Sequence, residues 1–218
     1  MPSLNSSQVT IADHVLLDGR LALFNEEQRW LAVADLHFGY EISQRAAGRL
    51  MPMWGMNSIE ERLMALLADY EPRRLVILGD LVHDRAAAPE ARELVMRLRV
   101  EIEVILLAGN HDRQLLGTIP MLDSWQSDGF HFHHGHCEAD ATGRTQVIGH
   151  HHPSGTITDG AGLRLKLPAF VQQDRCWIMP AFSPWATGAT WKAEVQSRMW
   201  LCTPTRILRL AETVAAPV

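Results

Sequence analysis

Five short segments of this sequence carry residues whose types and spacing suit metal chemistry. They are ADLHFGYE (34–41), LGDLVHD (78–84), AGNHDR (108–113), HHGH (133–136) and GHHHP (149–153). Aspartate, histidine and asparagine with positions left open for water are the ligand set of a first-row divalent ion. They do not make a zinc–thiolate site or a calcium cage. Asp35 and His37 stand two apart, as do His150 and His152. On extended backbone each pair would point to one side, and His151 would face away. A single D-x-H or G-D recurs by chance, and a histidine cluster commonly lies in solvent. Five motifs in a fixed order are another matter.

The elements that must position these segments are legible in the apolar pattern. WLAVA (30–34), RLVIL (74–78) and EVILLA (103–108) read as short buried strands, each running into one of the first three motifs. Between them, Ser58 with Glu61 reads as a capping box opening a helix over 58–69. Ile59, Leu63, Leu66, Leu67 and Tyr70 share one face of it, and Pro72 stops it. A second helix starts near Pro89, with Leu94, Val95 and Leu98 inward. Strand–helix–strand–helix–strand implies parallel strands with right-handed crossovers. The three motifs then share one sheet edge, where open α/β sheets place their sites.

Upstream, QVTIADHVLL, the turn pair Asp18-Gly19 and LALF read as a β-hairpin. After residue 120 the runs FHFHH, TQVIGH, LRLKL, CWIM, VQSRMWL and RILRL predict a second, more antiparallel sheet. The connection 41–57 carries Arg45, Arg49, Met51, Met53, Trp54 and Met56. Long loops are often functional; a lid, a dimer contact and core packing all remain open for it.

Composition narrows the class. With 218 residues, 47% hydrophobic and 21% charged, the chain is globular and long enough to bury a core without staples. No repeat or linker divides it, so a single domain over 1–218 is expected. Three scattered cysteines fit a reducing compartment. With no signal-like start and no apolar span, the expectation is a cytoplasmic protein away from membranes. A net charge of −5 argues against bulk electrostatic binding of nucleic acid, though a local site with metal ions could still recognise phosphate. Eighteen of the 20 basic residues are arginine, which suits phosphate but also follows from composition bias.

The series D-x-H, G-D-x-x-H, G-N-H-D, H-G-H, G-H-x-H resembles the calcineurin-like metallophosphoesterase superfamily. Within it, DLHFGYE, GDLVH, GHHHP and the paired LPAF (167–170) and MPAF (179–182) are similar to the SbcD-related, DNA ligase-associated phosphoesterases. The resemblance implies an α/β fold: a four-layer αββα sandwich with two facing mixed β-sheets and two metals at their edges. It implies that Asp35, His37 and His152 hold the first metal, that Asn110, His134 and His150 hold the second, and that Asp80 bridges both. In HFHHGH the family pattern selects the histidine before Gly135, which is His134, with His133 and His136 as its neighbours.

Two divalent ions, expected to be manganese, can clamp the attacking and leaving oxygens of an in-line phosphoryl displacement, with a shared water as the nucleophile. His111 follows Asn110 and is expected near the scissile phosphate, with Asp112 orienting its imidazole. His83 occupies a position that varies between subgroups, and Arg85 and Arg113 lie just past two of the motifs and could reach phosphate, but all three read mostly as structure. The implied activity is metal-dependent phosphodiester hydrolysis on DNA or other nucleic acid, tied to DNA repair. Bacterial members of the subgroup are often encoded beside a DNA ligase and a helicase. The alternatives are a hydrolase of small nucleotides or phosphomonoesters, and a non-catalytic partner of a ligase or helicase. Intact ligand positions disfavour the last.

Overall fold

The computed structural model describes residues 6–115, 117–137, 143–192 and 197–210. The first sheet is built from six strands in sequential order: β1 (Gln8–Ala12), β2 (Val15–Asp18), β3 (Ala22–Asn25), β4 (Trp30–Val33), β5 (Arg74–Leu78) and β6 (Glu103–Leu107). The first three pairings are antiparallel, and β4, β5 and β6 run parallel. QVTIADHVLL is two strands, broken where His14 takes a positive φ of 58°. Asp18-Gly19 opens the next turn as expected, with Asp18 paired to Ala22 across it.

Helices α2 (Gly55–Tyr70) and α3 (Ala88–Glu101) make the two crossovers. They bury Ile59, Leu63 and Leu66 from one and Leu94, Val95 and Leu98 from the other. The expected capping box does not form, because α2 begins before it and Ser58 lies inside the helix, its N–H bonded to the Trp54 carbonyl. The first-turn donor of Met56 is satisfied by the Glu41 carboxylate at 2.8 Å. A distant side chain thus replaces the local cap. Glu41 belongs to α1 (Tyr40–Ala46), which occupies part of the segment read as an open connection.

The second sheet contains β7 (Ser124–Ser127), β8 (Phe130–His133), β9 (Thr145–Ile148), β10 (Pro153–Thr158), β11 (Arg164–Gln173), β12 (Cys176–Ile178), β13 (Ala189–Thr190), β14 (Arg198–Thr203) and β15 (Arg206–Arg209). The first two residues of the VQSRMWL run lie outside the described residues. Most pairings are antiparallel, but β12, β9 and β8 run parallel to one another, as do β10 and β13. The sheets pack face to face through aromatic side chains. Trp30 of the first meets Phe130 and Phe132 of the second edge-on, with centroids 5.2 and 5.0 Å apart. The fold is α/β, two mixed sheets with flanking helices, and the described α-helices all precede Ile102. No described helix is long and apolar enough to cross a membrane.

Candidate metal centre

Parallel strands deliver their C-terminal ends to one edge, and this rule builds the site. Leu78 of β5 pairs with Leu107 of β6, and Val33 of β4 with Ile77, so Asp35, Asp80 and Asn110 leave the first sheet side by side. In the facing sheet His133 pairs with Ile148, which places His134 and His150 at a common edge. The sheets are stitched there by MPAF. Ala181 bridges Ala34, the Phe182 N–H donates to the Ala34 carbonyl at 2.7 Å, and the Ser183 N–H donates to that of Asp35 at 3.2 Å.

Asp35, His37, Asp80 and His152 each offer a ligand atom within 4.8 Å of the others, and Asp80, His134 and His150 form a second such group. Asp80 is shared, so the cluster suits a binuclear metal site. Asn110 stands beside the second group, its Oδ1 3.1 Å from His134 Nε2. His151 is exposed and turned toward Trp191. The pairs Asp35/His37 and His150/His152 converge, but not by the alternation of an extended strand. All four residues, and Asp80, have positive φ between 42° and 65°. Each such turn costs an L-residue roughly 1–2 kcal/mol, and the strain is concentrated where the side chains meet.

The donor set fits divalent cations. His134 Nδ1 lies 2.8 Å from the Leu78 carbonyl, a geometry that leaves Nε2 facing the site. That Nε2 confronts Asn110 Oδ1 and, at 3.4 Å, Asp80 Oδ2, so acceptors converge on one point. Burial pulls the His37 pKa down to about 3, favouring its neutral form. Burial pushes the Asp35 carboxyl up, and the opposed pull of His152 does not cancel it. At Asp80 burial also raises the pKa, but the hydrogen bond from His134 and the charges around it outweigh burial, and the carboxyl falls to about 2. The His134 pKa rises because Asp80 and Asp35 outweigh its burial. A bound cation would take over the role of that proton.

The glycines of GNHD and GHHHP leave room for two carboxylates. A Cβ on Gly109 would stand 2.1 Å from Asp80 Oδ1, and one on Gly149 would stand 2.6 Å from Asp35 Oδ2. Both carboxylates press against bare backbone.

His111 sits beside the first group, its ring 5.4 Å from that of His37. Its N–H donates to Asp80 Oδ1 at 2.9 Å, and its ring stacks on His83 at 4.9 Å. The orienting role expected of Asp112 falls to another group, since His111 Nδ1 lies 2.8 Å from the His83 carbonyl. Asp112 is fully buried and accepts from the N–H groups of Gly109 and Val82, holding the two metal-site loops together. Burial pushes its pKa up. Of the competing histidines, His133 turns away to Gln146 at 2.9 Å, and His136 is exposed with its ring 5.2 Å from that of His134.

Two cavities flank the centre. One, of about 360 Å³, is lined by His134, His136, Arg113 and Cys137. The other, of about 390 Å³, is lined by His37, His111 and His152 together with Tyr40, His83 and Trp185. Arg85 is exposed and lines neither cavity. Sequence reasoning missed Tyr40 and Trp185. The available signal was their placement next to DLHFG and MPAF, but an aromatic there reads first as packing.

The calcineurin-like phosphoesterase family model matches residues 29–172, and the chain belongs to that family. It is similar to the nuclease MPE of Pseudomonas putida, at 27% identity over 94% of this chain and 100% of that one, with a TM-score of 0.74. It also matches YfcE, a phosphoesterase from E. coli, at 18% identity over 78% of this chain and 86% of that one, with a TM-score of 0.43. No curated protein matches the chain.

Proposed function

We propose that this protein is a binuclear metal-dependent phosphodiesterase acting on nucleic acid, with DNA as its substrate. The observation that carries the reading is the pair of ligand groups sharing Asp80, set between two open cavities. Similarity to a nuclease over the full length of that chain supports the choice of polymer. Asp35, His37 and His152 would hold one ion, Asn110, His134 and His150 the other, with Asp80 between them. The mixed nitrogen and oxygen donors suit first-row divalent ions, and of these we propose manganese.

Ions held there would supply Lewis-acid charge for the phosphoryl group and lower the pKa of a bound water. The chain's own part is positioning. Asp80 holds the His111 backbone through its N–H, and the His83 carbonyl fixes the imidazole, so that its other nitrogen can carry a proton to the leaving oxygen. We place the protein in the cytoplasm as a single domain over 1–218, working in DNA repair alongside a ligase and a helicase. Metal-free protein should bind two manganese ions per chain by calorimetry. It should then cleave bis-nitrophenyl phosphate and short DNA in preference to nitrophenyl phosphate. One tight site with no second binding event, or monoesterase activity without diesterase activity, would overturn the proposal.

A further inference from the structure

Trp185 is half-buried in the wall of the larger cavity, the one that also meets His37, His111 and His152. An ester substituent of a phosphate held at the metal centre has the space beside this indole open to it. We propose that Trp185 is a base-stacking residue that receives the nucleobase next to the scissile phosphate. The inference rests on the phosphodiesterase reading and adds to it the chemistry of one substrate subsite.

The composition of the wall points to a flat, uncharged group. Tyr40 and His83 share the cavity, with rings 4.8 Å apart, and no lysine or arginine lines it among the described residues. A second phosphate would find no fixed positive charge there, whereas a base finds aromatic surface. Stacking tolerates any sequence, because every base presents a π-face.

The ring is also held in place before anything binds. Its Nε1–H donates to Glu41 Oε2 at 3.0 Å, and Glu41, fully buried, takes the Met56 N–H on its other oxygen. Trp54 packs against the indole at 4.5 Å, and Gly55 lies so close that a Cβ would stand 2.1 Å from Trp185 Nε1. A side chain fixed at its edge loses little freedom when its face is covered, so the contact is preorganised. Within the 41–57 segment, α1 and the start of α2 thereby buttress the tryptophan.

The test is calorimetric binding of thymidine 5′-monophosphate, thymidine 3′-monophosphate and methyl phosphate to the manganese-loaded protein. The native protein should prefer at least one nucleotide over methyl phosphate by about fivefold or more. Trp185→Ala should lose that preference. Trp185→Phe keeps a ring but lacks the N–H that bonds Glu41, and should retain most of it. Three results overturn the inference: no preference in the native protein, an undiminished preference in Trp185→Ala, or equal weakening of all three probes in both variants, which would assign Trp185 a structural role. Hydrolysis of phosphodiesters is scored separately. A native protein inert toward them fails the phosphodiesterase reading, while the binding ratios still decide the stacking.

Discussion

His37 Nε2 and His152 Nε2 face each other at 3.4 Å across the first ligand group. Asp35 Oδ1 lies 3.4 Å from the same His152 nitrogen. Burial disfavours a charged His37, so a proton shared between the two rings is a poor way to fill this point. A divalent cation satisfies both imidazoles and the carboxylates at once.

Asp80→Ala should be the most damaging single change at the centre, because Asp80 alone belongs to both groups. Metal stoichiometry should fall from two per chain to one or none, with hydrolysis at background. Elemental analysis after gel filtration checks it. Retention of two ions would show that Asp80 does not bridge.

Gly109→Ala should weaken metal binding and lower stability together, because the added Cβ meets both the Asp80 carboxylate and its backbone. Gly109 does not have a positive φ, but a new Cβ would stand 2.1 Å from Asp80 Oδ1 and 2.3 Å from the Asp80 backbone nitrogen, so the carboxylate and the loop that carries it must both shift. A loss of about 10–100-fold in manganese affinity is expected, the range typical of disturbed ligand support. Manganese titration by calorimetry, beside thermal melts of the metal-free variant, measures it; native affinity would show that the loop absorbs the Cβ.

His111→Ala should keep both metals and lose about 10²–10⁴ in rate on DNA, the usual span for general acid catalysis. Nitrophenolate leaves without a proton, so bis-nitrophenyl phosphate should suffer much less. Equal losses on both substrates would mean that His111 binds phosphate oxygens in the transition state. Loss of an ion would make it a support of the metal site.

Asp18 offers a test of stability against pH, well away from the metals. Burial alone would raise its pKa, but the Arg20 guanidinium and N–H and the Tyr70 hydroxyl outweigh burial and hold it below its usual 3.8. With the folded pKa depressed, the contribution is complete above the unfolded value and lost as pH falls through the folded one. Asp18→Asn should therefore cost roughly 1–3 kcal/mol near neutrality, less than a fully enclosed pair because Arg20 is partly exposed. The gap to the native protein should narrow below about pH 4. Urea melts of both proteins at several pH values would read it; a gap independent of pH would refute the assignment.

The sequence alone determined the identities of the site residues and the first half of their arrangement. Apolar runs ending at Asp35, Asp80 and Asn110, joined by helical crossovers, admit little but parallel strands with a shared exit edge. Local pattern fixes such elements because burial of one face is decided within a few residues. It could not decide that β8, β9 and β12 run parallel inside a mostly antiparallel sheet, since strand direction depends on partners far along the chain. It also could not give the left-handed turns that aim Asp35, His37, His150 and His152, the carbonyl of His83 in place of Asp112, or the Glu41 carboxylate in place of a capping box. Each of these is settled by contacts between distant segments. Only when the two sheets close on Trp30 and Phe132 do the five motifs, and the indole of Trp185 beside them, come to face one centre.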